Sequence, residues 1–121
     1  MSKKILMVDD TAIYRTQMQL FLSLYKFQVF LAVDGLDALK KMENETFDLV
    51  ISDVEMPNMN GFELLASIKR KNASMPVIML TTLDKDVHIE KAKKLGADFY
   101  IVKPFTKEKI EEALKSIGIS I

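Results

Sequence analysis

Four short apolar runs in this chain each lead into a residue type that can handle a cation or a phosphoryl group. Residues 5–8 are followed by Asp9-Asp10, residues 49–52 by Asp53, residues 77–80 by Thr81 and residues 99–102 by Lys103. If these runs are parallel strands, one sheet edge gathers three carboxylates, a hydroxyl and an ammonium. Taken singly, each has an ordinary explanation. Acidic residues complement the amides and dipole of a helix N-terminus, threonine favours strands, and a lysine at a strand end reaches solvent. Taken together they carry chemistry. Three carboxylates within several ångströms repel one another and raise each other's pKa. A hard divalent cation relieves that repulsion, and oxygen ligands with room for water suit Mg²⁺, with Mn²⁺ able to take its place. A carboxylate at such a site is also a nucleophile toward phosphorus. The group it accepts needs its oxygens neutralised, by a metal on one side and a lysine on another.

The elements that would position these residues can be read along the chain. Apolar runs alternate with segments of helical period, which is the pattern of a parallel sheet with crossover helices. After the first run, residues 11–25 put Tyr14, Met18, Phe21 and Tyr25 on one helix face. A second run, 29–33, leads through Asp34-Gly35 into a helix over 36–43 with Leu36, Leu39 and Met42 aligned. The third run is followed by a loop through Pro57 to Gly61, and then by a helix that carries Phe62, Leu65 and Ile68 inward. Pro76 suits the start of the fourth strand. Asp84 is read as the N-cap of a helix to Leu95, stopped by Gly96. The fifth strand is placed at 98–102, and Thr106 caps a last helix that ends at Gly118.

Five βα units with short, fully buried strands predict a doubly wound parallel sheet of the flavodoxin-like (βα)₅ kind. The strand order most often taken is 2-1-3-4-5, with its switch point between strands 1 and 3. Ligands bind there, beyond the carboxyl ends of the strands, where Asp9, Asp10 and Asp53 fall.

Composition narrows the function. The 121 residues suffice for a single domain over 1–121, with 49% hydrophobic and 28% charged residues. Zero net charge and the absence of a Lys/Arg stripe speak against nucleic-acid binding. Without cysteine there is no disulfide, zinc–thiolate site or thiol nucleophile. No run approaches a membrane span and no cleavage pattern follows the N-terminus, so a cytoplasmic protein is expected. The single histidine, His88, lies on a Lys/Glu-rich helix and reads as solvated.

Val8-Asp9-Asp10, Asp53-Val54-Glu55-Met56-Pro57 with Gly61, Leu80-Thr81-Thr82 and Tyr100-Ile101-Val102-Lys103-Pro104-Phe105 occur in that order. With these motifs the whole chain resembles the receiver domain of bacterial two-component response regulators, of the single-domain, CheY-like kind with no output domain. The resemblance implies that Asp53 accepts a phosphoryl group from a sensor histidine kinase or a histidine phosphotransfer protein. It implies Mg²⁺ ligation by Asp10, Asp53 and the Glu55 backbone carbonyl, with Asp9 acting mainly through a water of the ion's shell. Lys103 would pair with the phosphoryl group, Thr81 would sense it, and Tyr100 would turn inward in response. The Lys103-Pro104 bond resembles a family cis peptide. Readout is expected on the surface of helix 4, strand 5 and helix 5, toward a downstream target protein. The chain would be a monomer, open to phosphorylation-dependent association, and no enzyme beyond its own Mg²⁺-dependent phosphorylation and dephosphorylation. Glu55 and Leu83 flank the phosphoryl position, and slow self-dephosphorylation is expected from them.

Other functions stay open at this point. The chain could shuttle phosphoryl groups within a phosphorelay or drain them as a sink. A haloacid-dehalogenase-type phosphatase uses a similar inventory, but its nucleophile follows the first strand and pairs with an Asp two residues on, where this chain has Glu55. A flavodoxin-like cofactor binder would want a hydroxyl- and glycine-rich loop in place of Asp9-Asp10.

Overall fold

In β1 (Lys4–Val8) successive side chains point to opposite faces, and Ile5, Leu6, Met7 and Val8 are all buried. Both faces of such a strand must therefore be covered. The computed structural model, which describes residues 2–121, shows how. The strands β1, β2 (Gln28–Ala32), β3 (Leu49–Ser52), β4 (Val77–Thr81) and β5 (Phe99–Val102) form one parallel sheet in the order β2-β1-β3-β4-β5. Helices α1 (Ala12–Ser23), α2 (Gly35–Asn44), α3 (Gly61–Lys71), α4 (Asp86–Lys94) and α5 (Lys107–Ser116) alternate with them.

Strand alternation divides the core into two layers. Leu6, Val8, Val50 and Met79 pack with Ala38 of α2, Phe62, Leu65 and Ile68 of α3 and Ala92 of α4. Ile5, Met7, Ile51, Ile78 and Leu80 pack on the other face with Met18 and Leu22 of α1 and Ile110, Ala113 and Leu114 of α5. Each fully buried side chain of this size contributes about 1.5–3 kcal/mol by leaving water. The doubly wound fold and strand order read from the sequence are thus the ones observed.

Several details differ. Only β3 and β4 are buried throughout; β1 is buried from Ile5 on, and the edge strands β2 and β5 carry partly exposed residues. β2 ends at Ala32, and Val33 is exposed. Leu36 faces solvent, so α2 anchors through Gly35 and Ala38. Helix α1 stops at Ser23, and the tight turn through Lys26, at φ 64°, returns the chain to the start of β2 at Gln28. Lys85, not Asp84, occupies the N-cap of α4, and no side chain caps it. The strand β5 begins at Phe99, leaving Asp98 to accept from Val77 N and from Lys69 Nζ, each at 2.8 Å. Thr106 does cap α5, accepting from Lys109 N at 3.2 Å. Asn60 and Glu63 form a reciprocal capping box at α3, which fixes the end of the β3–α3 loop.

Candidate functional site

Backbone bonds bring the strand ends together before any side chain contributes. Asp53 N donates to Val8 O at 2.9 Å, Asp9 N to Ala32 O at 3.1 Å and Lys103 N to Thr81 O at 2.8 Å. On the far side of Asp53 the chain returns so closely that a Cβ on Gly61 would meet Asp53 O at 2.0 Å. Only glycine admits this approach, which lets Gly61 N donate to Val54 O at 2.8 Å.

The side chains converge on one buried charge. Lys103 is 8% exposed, with Nζ 2.7 Å from Asp9 Oδ2 and 3.4 Å from Asp53 Oδ2. Asp9 is fully buried, and its Oδ1 accepts from Thr11 N at 2.8 Å, so both its oxygens are engaged. Asp53 is 6% exposed, and its Oδ1 accepts from Val54 N at 2.7 Å. Asp10 is exposed. One oxygen from each of the three carboxylates lies within 4.8 Å of the others. Burial holds the Asp53 carboxyl above its ordinary pKa. The Lys103 charge opposes that rise, and the Asp9 charge adds to it. The sequence argument had put carboxylate repulsion first; burial is the larger cause.

This donor set fits a hard cation. It is all oxygen, anionic and open on the Asp10 side, and it holds a carboxylate that ionises with difficulty unless a positive charge is near. The backbone carbonyl of Glu55 accepts no hydrogen bond among the described residues, so it too is free to serve as a ligand. Thr81 is buried at the end of β4, its Oγ1 accepting from Leu83 N at 3.3 Å.

A model of the response regulator receiver domain matches residues 5–115. The chain belongs to the response regulator receiver domain family. It is 37% identical over 117 residues to the alkaline phosphatase synthesis transcriptional regulatory protein PhoP of Bacillus subtilis, covering 97% of this chain and 49% of that protein. The chain spans about half the length of the curated relatives it matches. The chemotaxis protein CheY4 of Vibrio cholerae superposes with a TM-score of 0.90 at 34% identity, over 97% of this chain and 99% of that one. A CheY-like receiver domain protein of Methanospirillum hungatei gives a TM-score of 0.89 at 31% identity, over 95% and 92% of the two chains. Receiver domains bind Mg²⁺ at an acidic pocket, and Asp9, Asp10 and Asp53 form that cluster here. They work with histidine kinases and downstream effectors. Of the families weighed from the sequence, the receiver domain is the one shown.

The remaining candidates lie around this cluster. Tyr100 is half-buried, and its hydroxyl donates to Leu83 O at 2.7 Å. Burial, then the charges of Asp53, Asp84 and Glu55, raise its pKa and keep it a donor. Leu83 is therefore gripped at both backbone ends, by Thr81 and by Tyr100. Glu55 is exposed and accepts from Thr82 Oγ1 at 3.1 Å. The Lys103-Pro104 bond is cis. His88 is half-buried and, with Lys91 and Leu83, lines a groove that reaches Asp10 and Glu55. No helix among the described residues is long and apolar enough to cross a membrane.

Two features escaped the sequence argument. Tyr14, which helical period sets only on a shared face with Met18, Phe21 and Tyr25, has its ring centred 3.8 Å from Lys103 Nζ. Ile13 and Leu20 of α1, with Leu24 at its C-cap, form an exposed apolar stripe that begins next to the site. The second was legible as a surplus, since α1 carries apolar residues on more of its circumference than one sheet face can cover.

Proposed function

We propose that this receiver domain is a phosphorylation switch whose phosphoacceptor is Asp53. A carboxylate oxygen of Asp53 attacks the phosphorus of a phosphohistidine on a partner protein. The bond from phosphorus to the imidazole nitrogen breaks, and the electron pair stays with the imidazole. Mg²⁺, held by Asp10, Asp53 and the Glu55 carbonyl, would supply positive charge for the transferring oxygens when bound. Asp9, with both oxygens engaged, orients Lys103 and would meet the ion through water. Lys103 moves its hydrogen bonds onto the new phosphoryl oxygens. The reading rests above all on the buried Lys103 ammonium suspended between Asp9 and Asp53 while Asp10 stays open to solvent.

Phosphorylation adds about 1.5–2 negative charges and three strong acceptors, which favour the conformation in which Thr81 donates toward them. Differential contacts of this kind shift an existing equilibrium. Tyr100 reports the shift through Leu83 to the surface of α4, β5 and α5, where Val87 and Val102 stand exposed for a downstream protein. The apolar stripe on α1 gives the phosphohistidine-bearing partner a landing face beside Asp53. The domain catalyses only its own phosphorylation and dephosphorylation. Exposure to a small acyl phosphate or phosphoramidate with Mg²⁺, read by intact mass, tests this. One phosphoryl group is added to the wild type and none to Asp53→Asn or without metal. A wild type that takes up none under any condition refutes the reading.

A further inference from the structure

We propose that Tyr14 is a positioning residue for Lys103, its ring face serving as the seat on which the ammonium shifts between the carboxylates and the phosphoryl group. The inference rests on the role given to Lys103 above. The ammonium has three donors and is almost sealed from solvent, its side chain 3% exposed. Asp9 takes one donor at 2.7 Å, and Asp53 lies at 3.4 Å. The ring of Tyr14, centred 3.8 Å away, covers a further side. A cation over an aromatic face is held electrostatically, and more strongly once desolvated.

The form of that attraction suits a group that must move. A hydrogen bond to a carboxylate is short and directional, so a third carboxylate here would tether the ammonium. An aliphatic side chain would fill the space without attracting charge. A ring face attracts over a broad area, so the ammonium can leave Asp9 for new oxygens on Asp53 and keep its support throughout. The Tyr14 hydroxyl has no hydrogen-bond partner among the described residues, which leaves the ring as the working part. The start of the helix that carries the ring is also fixed. Arg15 Nη1 donates to Asp9 O at 2.6 Å and Thr11 N to Asp9 Oδ1 at 2.8 Å, tying the first turn of α1 to the end of β1. The other such pair among the described residues, Lys91 over Phe62 at 4.7 Å, involves an exposed lysine and lacks this enclosure.

The test combines a rate with a structural signal. Phosphorylation by a small acyl phosphate with Mg²⁺ is expected to slow about tenfold in Tyr14→Leu and to be restored in Tyr14→Phe. Phenylalanine analogues of increasing fluorination at position 14 should slow it stepwise, since fluorine weakens the ring face at nearly constant size. Without metal or donor, the Lys103 methylene protons next to the ammonium should show an upfield ring-current shift that survives in Tyr14→Phe and is lost in Tyr14→Leu. Equal rates for the leucine and phenylalanine variants, no trend with fluorination, or no ring-current shift would each overturn the proposal. If Tyr14→Leu fails to fold, the fluorinated series alone decides. A wild type that takes up no phosphoryl group refutes the switch, while the ring-current signal still reports whether the seat exists.

Discussion

On the α1–β5 side of Asp53 the polar groups are buried and partnered within the protein, whereas on the side of the β3–α3 and β4–α4 loops they stand in water. The inner wall consists of Asp9, Lys103 and the ring of Tyr14, with Lys103 bonded at 2.7 Å to a fully buried carboxylate. The outer wall consists of Glu55, Thr82 and Leu83, joined across the entrance by one exposed hydrogen bond of 3.1 Å. Under the proposed role, the difference would separate two tasks. Charge placement for phosphoryl transfer needs a low-dielectric setting and fixed geometry. The approach of water and partners is adjusted where substitution costs little.

The largest effect expected from this contrast is on stability. Asp9→Leu removes the main partner of a buried ammonium and leaves it with Asp53 alone. Breaking a buried pair in this way costs about 3 kcal/mol or more, whereas Thr82→Val on the outer wall should cost less than about 1 kcal/mol. Adding Lys103→Met to Asp9→Leu should recover part of the loss, because the stranded charge is gone. Urea unfolding midpoints measure all three. Equal costs on the two walls would erase the distinction.

A second, smaller effect depends on pH. Asp53 has a folded-state pKa raised chiefly by burial. A raised pKa means that the folded state binds the proton more tightly than the unfolded chain. The stability this contributes is complete below the ordinary carboxylate pKa and is lost as pH rises through the raised value. At neutral pH, with divalent cations chelated, ionised Asp53 therefore weighs against the fold. Asp53→Asn should melt higher than the wild type there, and its advantage should shrink as the pH is lowered through the acid range. Thermal melts at both ends test this; an advantage that is independent of pH would contradict it. Saturating Mg²⁺ should narrow the gap at neutral pH by stabilising the wild type more.

The contrast also tracks what could be read from the chain. Asp9, Asp10, Asp53, Thr81 and Lys103 were legible because strand periodicity fixes where each apolar run ends, and a parallel sheet aligns those ends whatever the loops do. Resemblance supplied the assignment of roles to Glu55 and Tyr100; their spacing alone would not have done so. The contact of Tyr14 with Lys103 was not legible, because helical period shows which residues share a face but not what they meet. The partner lies 89 positions away, as 103 minus 14, across the sheet edge. The end of α1 was illegible for a local reason: no glycine or proline stops it, and Lys26 adopts φ 64° without a sequence signal. The N-cap of α4 went to Lys85 although Asp84 has the better capping chemistry, so propensity lost there to tertiary placement.

The smallest effect concerns lifetime and belongs wholly to the outer wall. Leu83 is held by Thr81 Oγ1 at its amide and by the Tyr100 hydroxyl at its carbonyl, which sets its place relative to Asp53. An apolar side chain fixed there keeps water from ordering beside an acyl phosphate, whereas a carboxylate would organise it. Leu83→Glu should therefore shorten the half-life of the phosphoprotein about fivefold, the rate equivalent of about 1 kcal/mol. Thr82→Val only frees Glu55 from its hydrogen bond, an exposed interaction worth a few tenths of a kcal/mol, and should change the half-life less than about twofold. Both follow from the decay of the aspartyl phosphate by intact mass after the donor is removed. If Leu83→Glu decays no faster than the wild type, the outer wall does not set the lifetime, and the inner wall's hold on Lys103 becomes the place to look for it.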